Sequence, residues 1–182
     1  LVEVKNPSAI FLSRGEEAMP GSAVTILWEG TRPLLVELQA LVDESQGNYP
    51  KRVSIGLDQN RLSMLLAVLH RHGGIHLGDQ DVFVNLVGGV KTSETSTDLA
   101  TIASIMSSLR SRALPTDMVI FGELGLSGEV RPVPSGQERI QEAFKHGFKK
   151  ALVPVGNKPR HALEGMDVTL IKTLPDLLAA LF

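Results

Sequence analysis

The chain has 182 residues, a length that fits one globular domain with a sizeable hydrophobic core. Its net charge of −2 excludes a globally basic protein, so any contact with nucleic acid would need a local basic patch. The chain has no cysteine, which excludes disulfides, zinc ribbons and thiol catalysis and fits the reducing cytoplasm. No apolar run approaches the roughly 20 residues that cross a membrane, and the charged N-terminus does not resemble a signal peptide.

The first 21 residues contain turn signals instead of a regular apolar period. Asn6-Pro7 and Pro20-Gly21 are such signals, and Ile10-Phe11-Leu12 is one short apolar run between them. This pattern is typical of a connecting segment that makes one apolar contact. We therefore predict a linker over residues 1–21 and one domain over residues 22–182. Because the chain does not begin with methionine, we also expect it to be part of a longer protein.

The first half of the domain begins with a predicted β-hairpin. Residues 22–28 and 34–42 read as strands, and a short connection that contains glycine joins them. A further strand is predicted over residues 52–56. It precedes a helix over residues 61–71, for which Asp58 is the expected N-cap.

A strand and a long helix follow. Residues 81–87 alternate between apolar and polar and are rich in β-branched side chains, which predicts a strand. After a polar loop, residues 98–112 show a helical apolar period, with Ser96 or Thr97 as the expected N-cap. Small residues along this helix would allow close packing, and Leu114-Pro115 would end it.

Strands and helices alternate through the second half. Residues 118–121 form a buried strand and residues 129–131 a short one, and a helix then starts after Ser135. Ser135 and Glu138 have the spacing of a capping box. Two further strands and a final C-terminal helix complete the pattern. It predicts a mixed α/β fold, with α+β character, built from sheet and helix layers.

The stretch around this third helix resembles a known family. Its motifs are Phe-Gly-Glu, Leu-Ser-Gly-Glu-Val-Arg-Pro-Val and, after the helix, His-Gly-Phe-Lys-Lys-Ala-Leu-Val-Pro. They are similar to the proteolytic domain of Lon. The similarity is closer to the Lon-like C-terminal domain of the RadA (Sms) family of bacterial DNA repair proteins, where Val-Pro-Ser-Gly-Gln-Glu-Arg replaces the lysine segment of Lon. The resemblance runs from about Asn6 to the end of the chain.

The resemblance implies a Lon-like fold that self-associates as a homohexameric ring, with single- or double-stranded DNA and a recombinase as partners. It also implies that a zinc-binding part and an ATPase part, with their Zn, ATP and Mg, lie upstream of this chain. The parent protein would then be a DNA-dependent ATPase or helicase that acts in branch migration and in the processing of recombination intermediates. This chain lacks a P-loop motif, so we expect no cofactor of its own.

The protease chemistry of Lon needs a serine hydroxyl beside a lysine amine that can take its proton. The resemblance places Ser96 at the serine position and Gln137 at the lysine position of this dyad. Glutamine has no basic amine, and Arg139 is no substitute because a guanidinium stays protonated near neutrality. We therefore expect no catalytic residue and a capping role for Ser96. A serine peptidase with an altered dyad is the alternative.

Local clusters of basic residues are the candidates for contact with DNA phosphates. Lys51, Arg52 and Arg61 are favoured, because a loop and the start of a helix would present them together. Further cations are Arg110, Arg112, Lys145, His146, Lys149, Lys150, Lys158 and Arg160. Ordinary solvated charges on a module that only oligomerises are the alternative. The spacing of His70, His72 and His76 fits no familiar metal site, so we expect no metal.

Overall fold

The structure is a computed structural model, and it describes residues 17–182. The larger part of the predicted linker, including Ile10-Phe11-Leu12, lies outside the described residues. The described elements are, in chain order, β1 (Ser22–Glu29), β2 (Arg32–Glu44), β3 (Arg52–Ile55), α1 (Gln59–Gly73), β4 (Gln80–Leu86), α2 (Asp98–Arg110), β5 (Met118–Ile120), β6 (Glu123–Leu124), β7 (Val130–Arg131), α3 (Gly136–Lys145), β8 (Lys150–Pro154), β9 (Asp167–Ile171) and α4 (Leu174–Leu181).

A seven-stranded mixed sheet forms the centre of the molecule. Its strand order is β3-β4-β2-β1-β5-β8-β9, and β6 and β7 form a separate two-stranded sheet. β1 and β2 are an antiparallel hairpin, and β2 also pairs antiparallel with β4. The pairs β3–β4, β1–β5, β5–β8 and β8–β9 are parallel. The predicted mixed α/β fold and the predicted hairpin are confirmed.

Helices cover the two faces of this sheet unequally. α1, α2 and α4 contribute to a large apolar core on one face, which includes Ala23 and Leu27 of β1. The neighbouring residues Val24 and Ile26 belong to a smaller core on the other face, where α3 packs. This alternation along β1 follows from the two-residue period of a strand, and it places α3 opposite the other three helices.

α2 is the buried helix around which the larger core is arranged. All of its residues from 98 to 107 are buried, and several of them are small, as the sequence predicted. Near its C-terminal end, the Ser107 hydroxyl accepts a hydrogen bond from the backbone N–H of Gly21 at 2.9 Å. The Ser108 hydroxyl accepts one from the N–H of Val42, also at 2.9 Å. These two serines attach the helix to the start of β1 and to β2.

The predicted helix caps have mixed outcomes. Asp58 caps α1 as expected, because its side chain accepts hydrogen bonds from the backbone of Asn60 and Arg61. The capping box at Ser135 is wrong: this residue has a φ of 61° and makes no side-chain cap bond. The start of α3 is fixed from outside the helix instead. The Asn157 side chain accepts from the N–H of Val133 at 2.8 Å and donates to its carbonyl at 2.9 Å.

The N-cap position of α2 falls on Thr97, one of the two predicted residues. A 3₁₀ turn over Thr95–Thr97 precedes the helix, and neither Ser96 nor Thr97 caps it through its side chain. Gly122 at the end of β5 takes over this role with its backbone. Its carbonyl accepts from the N–H of Leu99 at 3.2 Å, and its own N–H donates to the carbonyl of Ser96 at 3.0 Å.

α2 also ends two residues earlier than predicted, at Arg110. Ser111 follows in the left-handed conformation, with a φ of 51°. In the described part of the chain, no helix is long and apolar enough to cross a membrane.

Candidate functional site

A buried arginine on α3 is the centre of the site that contains Ser96. Arg139 is only 2% exposed, and its side chain reaches into the interior of the molecule. Its Nη1 donates to the carbonyl of Ile26 at 2.6 Å, and its Nε donates to the carbonyl of Pro134 at 2.9 Å. Its Nη2 forms an ion pair with Oε1 of Glu94 at 2.9 Å. One side chain therefore links β1, the loop before α2 and the turn before α3.

Ser96 contacts both members of this ion pair. Its hydroxyl donates to Oε1 of Glu94 at 3.3 Å and accepts from Nη1 of Arg139 at 3.4 Å. The second carboxylate oxygen of Glu94 accepts from the backbone N–H of Trp28 at 2.9 Å. Because a guanidinium stays protonated in proteins, Arg139 cannot take a proton from the serine. Ser96 itself is 3% exposed.

Gln137 does not join this group. Its amide nitrogen donates to the carbonyl of His161 at 3.3 Å, and its oxygen accepts from the N–H of Arg160 at 3.0 Å. A separation of two residues along a helix corresponds to a rotation of about 200° around its axis. The side chains of Gln137 and Arg139 therefore point to nearly opposite sides of α3. The residue of α3 beside Ser96 is therefore Arg139, whereas Gln137, which the resemblance places at the lysine position of the dyad, makes its hydrogen bonds elsewhere.

The sequence contains a signal for the burial of Arg139. Arg139 lies on the same helical stripe as Ile140 and Ala143, and all three are buried in α3. That spacing indicates an inward-facing side chain, and a buried arginine needs charged or polar partners. The partner, Glu94, lies in a polar loop whose sequence has no period, so no comparable signal existed for it.

A second ion pair involves Arg61, which is partly exposed and is one of the three residues predicted to bind DNA. Its Nε donates to Oδ1 of Asp98 at 3.0 Å, and its Nη2 contacts Oδ2 of the same carboxylate. Nη2 also donates to the carbonyl of Leu124 at 3.1 Å, and the N–H of Leu124 donates to Asp98 at 2.9 Å. The pair joins α1, α2 and β6.

Burial of the Asp98 carboxylate affects its protonation. Asp98 is completely buried, and burial raises the pKa of its carboxyl group, although the hydrogen bonds from Arg61 and Leu124 oppose that rise. The hydrogen bond to Asp98 raises the pKa of Arg61. The positive charge of Arg61 is therefore held by a carboxylate inside the protein.

Of the other two residues of the predicted DNA patch, Arg52 has its side chain bonded within the protein, whereas Lys51 is exposed. The Arg52 guanidinium donates to the carbonyls of Leu77, at 2.7 Å, and Gln80, and so holds the connection between α1 and β4. Lys51 is exposed, and its backbone N–H donates to Asp81. The structure therefore does not bring Lys51, Arg52 and Arg61 together as three free cations, because two of the three side chains are engaged internally.

Two arginines at the C-terminal end of α2 face solvent instead. Arg110 and Arg112 are exposed, and their guanidinium carbons lie 5.9 and 5.5 Å from the centre of the Phe182 ring. Together with His76 they line an open depression beside the end of α1. The His76 ring makes an edge contact with the ring of His70, with the ring centres 5.1 Å apart.

Comparison with known protein families shows which family the chain belongs to. Residues 54–157 match the model of the family described as "Subunit ChlI of Mg-chelatase". The chain belongs to this family. Within residues 17–182, no group of three or more His, Asp or Glu side chains is placed to hold a metal ion.

The chain is also similar to curated proteins named "DNA repair protein RadA". It is 68% identical to the one from Haemophilus influenzae, over 100% of this chain and 40% of that protein. It is 64% identical to the one from Escherichia coli strain K12, over 98% of this chain and 39% of that protein. The relative from Aquifex aeolicus is 43% identical, again over 100% of this chain and 40% of its own length. The chain therefore spans about two fifths of the relatives it matches.

Proposed function

We propose that this chain is a Lon-like scaffold domain, without protease chemistry, that contacts DNA in a DNA repair protein similar to RadA. The observation that carries the proposal is the ion pair between Arg139 and Glu94 beside Ser96. Arg139 and Glu94 both contact the Ser96 hydroxyl. Neither of them carries a neutral amine that could act as the base of a Ser–Lys dyad. High identity to proteins named DNA repair protein RadA supplies the biological setting.

The geometry around Ser96 favours a structural role over a nucleophilic one. A nucleophilic serine needs an adjacent base and access to the substrate. The Arg139 guanidinium is instead fixed by two backbone carbonyls as well as by Glu94, and the serine is almost completely buried. We infer that the network holds β1, the loop before α2 and α3 in a fixed arrangement.

The function of the whole protein is part of the same proposal. Zinc-binding and ATP-hydrolysing parts outside this chain would drive branch migration and the processing of recombination intermediates in the cytoplasm. This domain would contribute to a homohexameric ring and could contact a recombinase. The share of the relatives that the chain covers, 39–40%, leaves room for these parts.

The two arginines at the C-terminal end of α2 are our revised candidates for the DNA contact. Arg110 and Arg112 are exposed, and within residues 17–182 no carboxylate side chain lines the depression that they share with His76. A duplex carries closely spaced phosphates, so two arginines on one side of the molecule suit it better than arginines already paired inside the protein. Exposed Lys51 stays a further candidate, whereas Arg52 and Arg61 are no longer proposed to bind DNA.

Fluorescence anisotropy of labelled duplex DNA, titrated at several salt concentrations, tests this proposal. We expect an affinity that falls steeply with salt. The double variant Arg110→Ala with Arg112→Ala should reduce the slope of log affinity against log salt by about two, since each lost phosphate contact removes roughly one. The variant Lys91→Ala with Lys172→Ala, which removes two exposed lysines outside the candidate clusters, is the control and should keep the slope. If the protein does not bind DNA at low salt but forms a clear oligomer in sedimentation, the DNA contact is contradicted. The alternative, a module that only oligomerises, would then be the better account.

A further inference from the structure

One part of the sheet exposes large apolar side chains. Leu41 of β2 and Ile55 of β3 are 58% and 61% exposed, and Val53 of β3 is 37% exposed. Phe83 of β4 is the cross-strand partner of both Leu41 and Val53. These four side chains, which we call the β3-side apolar face, therefore form a continuous row across three strands. Large exposed apolar patches of this kind mark interaction sites.

The helices explain why this face is uncovered. α1 and α2 pack on the opposite face of these strands, where Val82 and Val84 of β4 are buried. α3 covers the same side as the apolar face, but its core residues pack against β1, β5 and β8 and the first part of β2. β3 is moreover an edge strand of the sheet, and an apolar edge that stays open favours aggregation.

The polypeptide enters the described structure at the rim of this face. Met19, which is 64% exposed, lines the same depression as the β3-side apolar face, and so do Pro20 and Gly21. Gly21 is anchored there, because its carbonyl accepts from the N–H of Ala40 at 2.8 Å. The residues that precede Met19 in the sequence therefore start beside exposed apolar side chains.

We propose that the sequence segment Ile10-Phe11-Leu12 packs on the β3-side apolar face. It is a run of three consecutive large apolar residues, seven positions before Met19. Seven residues of extended chain span up to about 23 Å. Crossing from β2 to β3 requires two strand spacings, or about 10 Å, so the segment reaches the whole face. The segment would bury Leu41 and Ile55 and shield the edge strand with residues of the same chain.

Paramagnetic relaxation measured by NMR tests this contact, because the cysteine-free chain accepts a single spin label. The label is attached to Ser13→Cys, next to the segment, in ¹⁵N-labelled protein. We expect strong broadening of the backbone amide signals of Leu41, Val53 and Ile55. The broadening at Val53 and Ile55 should be lost when Ile10, Phe11 and Leu12 are all changed to serine. It should also be lost in a Leu41→Ser, Ile55→Ser variant, and unchanged signals elsewhere would show that each variant folds.

Two results would overturn the proposal. Broadening at Val53 and Ile55 that persists in the triple serine variant would come from the tether alone and not from the apolar segment. Broadening that appears when spin-labelled, unenriched protein is mixed with ¹⁵N-labelled, unmodified protein would identify a second copy of the chain as the occupant.

Discussion

Arg139 illustrates how one residue determines the character of a site. A buried charge is expensive unless hydrogen bonds and an opposite charge compensate for it. Arg139 has both, in two backbone carbonyls and the Glu94 carboxylate. Each of these acceptors belongs to a different part of the chain. We therefore interpret Arg139 as a residue that fixes tertiary structure, with the Ser96 hydroxyl as a minor member of its network.

The variant Arg139→Ala tests this interpretation. We expect it to lower the free energy of unfolding by about 3 kcal/mol, because it leaves Glu94 and two carbonyls without their partner. Urea unfolding followed by circular dichroism measures the change. Gln137→Ala is the matched control on the same helix, and we expect a change within about 0.5 kcal/mol because Gln137 makes exposed hydrogen bonds. Equal, small changes for both variants would show that the buried network contributes little.

The sequence predicted part of this site, and the reason for the remainder is geometric. It identified Ser96 and the absence of a lysine, and it indicated that Arg139 could not act as a base. It did not show that Arg139, instead of Gln137, lies beside the serine, since that depends on the orientation of α3. The ion pair of Arg61 could not be predicted for a related reason. Its partner Asp98 is 37 positions away and becomes its neighbour only when α1 and α2 pack together.

At the scale of elements, the junction between β5 and α2 is the most constrained. Gly122 has a φ of 147°, and its backbone makes two hydrogen bonds with the start of α2. A Cβ atom at this position would lie 2.6 Å from a methyl carbon of Leu99 and 2.9 Å from the ring of Pro154. Glycine is therefore required here both by the backbone conformation and by the packing of neighbouring elements.

We predict that Gly122→Ala lowers the free energy of unfolding by about 2 kcal/mol, through backbone strain and overpacking. Thermal or urea unfolding provides the measurement. Gly47→Ala is the control, because nothing lies within 4 Å of a Cβ atom at that exposed position. If Gly122→Ala leaves the free energy of unfolding unchanged, the contact between β5 and α2 adjusts readily to a methyl group.

Elements that depend on local sequence were predicted well, and those that depend on distant residues were not. The β1–β2 hairpin and the Asp58 cap of α1 involve neighbours in the chain, and both are confirmed. Thr97 and Ser135 occupy the N-cap positions of α2 and α3 as expected, but neither makes the expected side-chain cap bond. Gly122 and Asn157, which are distant in the sequence, make hydrogen bonds at these helix starts instead. Local capping patterns cannot anticipate contacts of this kind.

At the scale of the whole molecule, the buried networks favour a rigid scaffold. The Arg139 network and the Arg61–Asp98 pair lie on either side of the start of α2, and together they involve three helices and β1. The exposed features include the two arginines at the C-terminal end of α2 and the β3-side apolar face. A domain of this type would hold surfaces for DNA and for other parts of the chain at fixed positions, which agrees with the function proposed for it.

A peptidase assay with Ser96→Ala tests the central claim most directly. Wild-type protein, Ser96→Ala and the control Ser93→Ala, which changes a serine lining the same depression, are incubated with unfolded protein and fluorogenic peptides. We predict the same background rate for all three, because Ser96 is almost completely buried and the Glu94 carboxylate that accepts its hydrogen bond is already paired with Arg139. Cleavage by the wild type and by Ser93→Ala that disappears in Ser96→Ala would contradict the account and establish a working serine nucleophile.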